Sequence, residues 1–269
     1  MNFLSGFFTQ LLFTAGIIFI FGWLISLLRR GFCNLMGRSG PVILLATGII
    51  GTPIHELSHA LMCLLFGHKI TDIKLYNPKS EDGALGYVSH TYNKKNIYHQ
   101  IGNFFIGVAP VLISGGVVIL LLAILLPDAF DMIALEIKIL CEAQVGAMPL
   151  AKFFTFIWTS ITAIFSAENF SDWQGWLFVI LAFMISTHME MSGSDIKSGL
   201  RGLAFITVIM FLIDGLIYLI SPDAFHIVTD AIASCGFAIA AILSISVLFL
   251  LALLIIAILL RGIGMIFSR

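Results

Sequence analysis

The chain has 269 residues, of which 59% are hydrophobic and 11% charged, and its mean hydropathy is +1.06. That balance excludes a water-soluble globular domain and marks an integral, multi-pass membrane protein in contact with a lipid bilayer. With 14 basic and 15 acidic residues the formal net charge is -1, so nothing suggests a nucleic-acid partner or a polybasic lipid-binding surface, and no nucleic acid is expected as a partner.

The opening stretch "MNFLSGFFTQLLFTAGIIFIFGWLISLLRRG" lacks a basic leader and a small-residue cleavage site, and reads as a retained transmembrane helix over residues 11–28. The requirement of about 20 apolar residues per span gives further candidates at 41–66, 101–126, 174–187, 200–220 and 231–260. The candidate at 174–187 is short. An aromatic-rich piece beginning at Phe153 reads as re-entrant, as interfacial, or as part of a longer fourth span.

Between the second and third candidates lies the longest polar stretch. There "KITDIKLY" and "LGYVSHTY" flank Asn77, Pro78 and Gly83, the pattern of a β-hairpin with a long loop. Such a hairpin serves either as a folded connector or as an edge strand that pairs with an extended peptide. The expected fold class is an all-α polytopic membrane protein: about six transmembrane helices with a small β-hairpin between helices 2 and 3. It forms a single domain over 1–269, with a core at 41–220 and accessory helices at 11–28 and 231–260.

Lys69, Lys74, Lys79, Lys94 and Lys95 fall in the hairpin region, whereas "SPDAFHIVTD" carries no Lys or Arg. The positive-inside rule therefore assigns the hairpin, Arg269 and any site on their side to the cytoplasm, leaving Arg29, Arg30 and Arg38 opposite. Cys33, Cys63, Cys141 and Cys235 are scattered without paired spacing and imply neither a disulfide framework nor a CxxC site. His68, His90 and His99 read as interfacial loop residues, and Asp214 as a polar residue near the far membrane face.

One spanning segment contains "PIHELSHA". Residues i and i+4 share a helix face, so His55 and His59 can direct imidazoles at one Zn2+ ion. Glu56 stands where a general base can take a proton from water and return it to a leaving amine. Ionisable side chains in a spanning helix are costly, and a metal supplies three adjacent ones with a common cause. Counting about 1.5 Å per residue, His59 lies roughly 12 Å from Gly67 at the end of its helix. Pro53 is expected to loosen that helix beside the site.

Two histidines leave a catalytic zinc short of a third protein ligand. The candidates are His188, Glu190 and Asp195, in "STHMEMSGSDIKSGLRG". Asp195 is preferred because it opens an apolar helix, where the dipole favours a carboxylate that can be aimed into the bundle. Its alternative role is to cap that helix.

HExxH in a transmembrane helix with a distant Asp at a later helix resembles the site-2 protease family of intramembrane zinc metalloproteases. The resemblance implies that His55 and His59 are metal ligands, Glu56 the catalytic residue and Asp195 the third ligand. It also implies a transmembrane protein substrate handled by the hairpin. "GNFFIGVAPVLISG" resembles the family's small-residue, Pro-containing helix between the two ligand helices. The chain departs from the family in "SGSDIKSG", where an Asn-Pro or Leu-Asp-Gly sequence is usual, and in having Ser114 after Ala109 and Pro110 where Asn is common. A zinc or proton transporter and a non-cleaving, helix-binding pseudo-protease are the competing expectations.

Overall fold

The computed structural model describes residues 2–80, 83–142 and 150–267, so Arg269, assigned above to the cytoplasm, lies outside the described residues. Helix α1 (Phe3–Leu11) and helix α2 (Ile17–Met36) are joined by one π-helical turn, Leu12–Gly16, into a single rod. This rod, α3 (Ser39–Leu65), α4 (Ile97–Leu125), α8 (Gly193–Ile220) and α9 (Pro222–Phe267) are the five stretches long and apolar enough to cross a membrane among the described residues.

Three helices are shorter: α5 (Pro127–Cys141), α6 (Leu150–Ile164) and α7 (Trp173–Ser186). The expected span at 174–187 is the 14-residue α7, which at about 1.5 Å per residue falls short of the roughly 30 Å hydrocarbon core. The piece from Phe153 forms α6. Helix α5 has no counterpart among the expected elements. Its charges, Asp128 in the first turn and Lys138 in the last, lower its hydropathy while complementing its dipole, and Pro127 suits its first turn. Pro53 sits within an uninterrupted α3.

At the centre, α4 packs against α3, α7, α8 and α9, burying Val108, Val111, Val118 and Leu122 completely. Lipid tails are as apolar as these side chains, so it is close packing that holds spanning helices together, and small residues permit it. On α4, a Cβ at Gly107 would lie 2.4 Å from the Asp195 carbonyl oxygen and 2.6 Å from the Gly199 nitrogen. Backbone there touches backbone, which fixes the first turn of α8 against the middle of α4. The α1–α2 rod packs along α9, and α9 also contacts α4.

Strands β1 (Lys69–Lys74) and β2 (Tyr87–Thr91) pair antiparallel, Lys69 opposite Thr91 and Lys74 opposite Tyr87, with an irregularity between Ile70 and Asp72. The hairpin runs back along α3. The Tyr76 hydroxyl donates to the Leu45 carbonyl at 2.7 Å, and Asn77 and Pro78 lie beside Pro41. At the other end the Tyr98 hydroxyl donates to the Leu65 carbonyl at 2.6 Å. The lysines of this region therefore divide between the two ends of α3: Lys94 and Lys95 lie near Leu65, and Lys79, next to Pro78, lies near Pro41. Sharing a polar stretch of sequence does not confine them to one face.

Candidate metal centre

His55, Glu56 and His59 occupy the C-terminal half of α3. Glu56 and His59 are buried, 6% and 7% exposed. The His55 Nδ1–H donates to the His188 carbonyl at 2.7 Å and the His59 Nδ1–H to the Ile106 carbonyl at 2.8 Å. A carbonyl oxygen only accepts, so each neutral ring carries its proton on Nδ1 and presents a bare Nε2. The two Nε2 atoms face each other at 3.2 Å.

Asp195 completes the group. Its Oδ1 lies 3.4 Å from His59 Nε2 and its Oδ2 4.0 Å from His55 Nε2. Zinc bonds of about 2.0–2.1 Å in a tetrahedron would set ligand atoms about 3.3 Å apart, so these three side chains fit one ion after small movements. Capping and convergence on the histidines are not alternatives for Asp195. Its Oδ2 accepts from the Ser192 N–H at 2.8 Å, while its own N–H donates to Ser192 Oγ at 3.2 Å. This capping box holds the carboxylate at the helix start.

The other two sequence candidates point elsewhere. The His188 ring lies between Thr47 Oγ1, 3.0 Å from Nε2, and Thr52 Oγ1, 3.3 Å from Nδ1. Its contribution to the site is its carbonyl, which orients His55. Glu190 pairs with Arg29, and its other oxygen accepts from Ser26 at 3.4 Å. Arg29 is thus an internal partner of a loop carboxylate and drops out of the loop-charge balance.

A cavity of about 360 Å³ opens beside the site, walled by His55, Glu56 and His59 of α3, Tyr87, Val88 and His90 of β2, and Asp195 and Ser198 of α8. The segment entering β2 lies against the glutamate, for a Cβ at Gly86 would stand 2.7 Å from Glu56 Cγ. Three features escaped sequence reasoning: the threonine latch on His188, the Arg29–Glu190 pair and the seat of Gly86. Each joins residues far apart in the chain and leaves no local pattern.

A further correction concerns the histidines assigned to interfacial loops. His68 is buried, its ring 3.0 Å from that of His90. Burial, with the charge of neighbouring His99, holds His68 below the usual imidazole range, and burial with His68 and His59 nearby does the same for His90. Asp214 is buried too, 4% exposed, and at about 1.5 Å per residue it lies roughly 28 Å along α8 from Asp195.

No protein-family model matches the chain, and neither does any curated protein or solved structure.

Proposed function

We propose that this chain is an intramembrane zinc metalloprotease of the site-2 protease type, which hydrolyses a peptide bond in or beside a transmembrane segment of a membrane-protein substrate. The observation that carries the reading is the facing of two bare Nε2 atoms, 3.2 Å apart, in front of the Asp195 carboxylate. Bare lone pairs at that distance repel unless a proton or a metal cation lies between them, and the two carbonyl-bound Nδ1 protons fix the tautomer that turns each Nε2 to the site. A two-histidine, one-carboxylate set with a neighbouring cavity suits a catalytic Zn2+, which needs an open fourth position.

Zinc, when bound, supplies a Lewis acid that polarises the scissile carbonyl and acidifies the attacking water. The remaining work falls to the chain. Glu56, adjacent to the ligand His55 and lining the same cavity, takes the proton of that water on its carboxylate and delivers it to the departing amine. Gly86 lies over its side chain and limits its freedom to move. A helical peptide bond is shielded by its own hydrogen bonds, so the substrate unwinds locally. Strand β2, one of only two strands in the sheet, walls the cavity and offers backbone groups to an extended segment. We propose that the site lies toward the cytoplasmic side: Lys69, Lys94 and Lys95 at the Leu65 end of α3 support this orientation, against Arg30, Arg38 and Lys79 at the Pro41 end.

The test is Glu56→Gln, compared with the parent protein on a panel of single-span reporter fusions. Zinc content stays at the parent level while cleavage falls by about 10²–10⁴-fold. A Glu56→Gln protein that retains zinc and cuts its reporter at the parent rate would sink the protease reading and leave a metal carrier.

A further inference from the structure

A second cluster of metal-ligating side chains lies one helical turn beyond the first. Cys63 follows His55 and His59 at the same four-residue interval on α3, so all three share one helix face. The helix ends immediately afterwards. Gly67, at φ 69, turns the chain so that the His68 N–H bonds back to the Cys63 carbonyl at 2.8 Å, and the His68 side chain folds beneath the helix end. Strand β2 brings His90 to the same place. One ligand atom each from Cys63, His68 and His90 lies within 4.8 Å of the others.

The polar arrangement at this cluster repeats the logic of the first. His68 Nε2 lies 2.9 Å from the His99 carbonyl, which only accepts, so the neutral ring carries its proton there and presents a bare Nδ1. That Nδ1 faces His90 Nδ1 at 3.0 Å, and the His68 ring is held in this direction by stacking on Tyr92, 4.7 Å between centroids at 13°. Cys63 is fully buried, with no exposed surface. Two imidazoles and a thiol, with no carboxylate in the group, form a borderline-to-soft donor set that selects zinc-class ions over magnesium or calcium.

We propose that Cys63, His68 and His90 form a second Zn2+ site, separate from the His55–His59–Asp195 centre, that ties the C-terminal end of α3 to strand β2. Zinc–sulfur and zinc–nitrogen bonds of about 2.3 and 2.0–2.1 Å set nitrogens about 3.3 Å and sulfur about 3.5 Å apart, so the two imidazoles, now 3.0 Å apart, open slightly and the thiol, within 4.8 Å of both, closes by about 1 Å. Binding displaces the Cys63 thiol proton to solvent, and the thiolate forms the Zn–S bond without any change of oxidation state. Because His90 also walls the active cavity, an ion here fixes the strand that lines the cavity.

The experiment is a Co2+ titration of the purified full-length protein in detergent, with Co2+ alone as the probe. The first centre has no sulfur ligand, so a thiolate-to-cobalt charge-transfer band reports only on a cysteine site. The expected result is two equivalents bound, with a thiolate band that Cys63→Ser abolishes, that His90→Ala shifts to at least tenfold weaker Co2+ affinity, and that persists in a His55→Ala/His59→Ala variant. Binding of a single equivalent without a thiolate band in the parent protein overturns the proposal, whatever becomes of the variants. So does a band that survives Cys63→Ser, which would assign the sulfur to Cys33, Cys141 or Cys235. Loss of metal from the first centre alone would bear on the protease reading and leave this one standing.

Discussion

Gly107→Ala tests whether the meeting of α4 and α8 is what positions Asp195, the proposed third ligand. The added methyl would sit 2.4 Å from the Asp195 carbonyl oxygen, 2.6 Å from the Gly199 nitrogen and 2.8 Å from the Gly199 Cα. All three are backbone atoms, so no rotamer change relieves the clash. Restoring an ordinary contact requires the first turn of α8 to retreat from α4 by about 1 Å, and overpacking of this kind costs about 1–3 kcal/mol. Asp195 moves with its backbone, away from nitrogens it now approaches to 3.4 and 4.0 Å. His59 is held by the carbonyl of Ile106, the neighbour of Gly107, at 2.8 Å and does not follow. A misplacement of about 1 Å at the site should cost on the order of 10²-fold in the rate of the proposed cleavage, and zinc affinity should fall by about 10–100-fold as the carboxylate loses reach. Chelator competition on purified protein measures the affinity, and a thermal melt measures the stability. Gly116→Ala, whose Cβ meets nothing within 4 Å, is the control and should leave both unchanged. If Gly107→Ala bound zinc as tightly as the parent and melted at the same temperature, the contact would not be what seats Asp195.

Other outcomes follow from the same geometry. Asp195→Ala should lose zinc, whereas His188→Ala, which keeps the carbonyl that His55 uses, should weaken zinc by about 10–100-fold without abolishing it; metal analysis showing loss only in the His188 variant would exchange their roles. Arg29→Met strands Glu190, and because the two side chains are 20% and 26% exposed the cost is set at about 1–3 kcal/mol, below that of a fully buried pair. Adding Glu190→Gln should recover most of it, and a double-mutant cycle with no coupling would show that the pair contributes nothing. Lys94→Cys should react with an impermeant maleimide above the parent level in inside-out vesicles and not in right-side-out ones, the reverse pattern placing the site on the opposite side.

The HExxH half of the site was open to reading because its geometry is local. HExxH on a helix puts His55 and His59 on one face whatever the rest of the chain does, and an apolar segment around it requires a reason for three polar groups. The five long helices and the two strands were legible for the same reason: apolar length, and β-branched residues on either side of turn residues, act over a few neighbours. Even the Cys63 stripe was present as a four-residue interval, though its meaning depended on His68 and His90 arriving from a turn and a strand.

Tertiary structure decided what long-range packing alone can set. Asp195, His188 and Glu190 lie within eight residues of one another and share similar chemistry, so the preference for Asp195 rested on its place at a helix start and not on any view of where the three side chains point. The Gly107 contact and the Ser192 cap turn the Asp195 carboxylate toward the two Nε2 atoms, the threonines turn the His188 ring away, and Arg29 draws Glu190 aside. The path of the hairpin along α3 was equally invisible in advance. A polar stretch between two spans reads as a loop at one face until Tyr76 bonds to Leu45, and it is that return path which lays Gly86 on Glu56 and makes strand β2 a wall of the cavity.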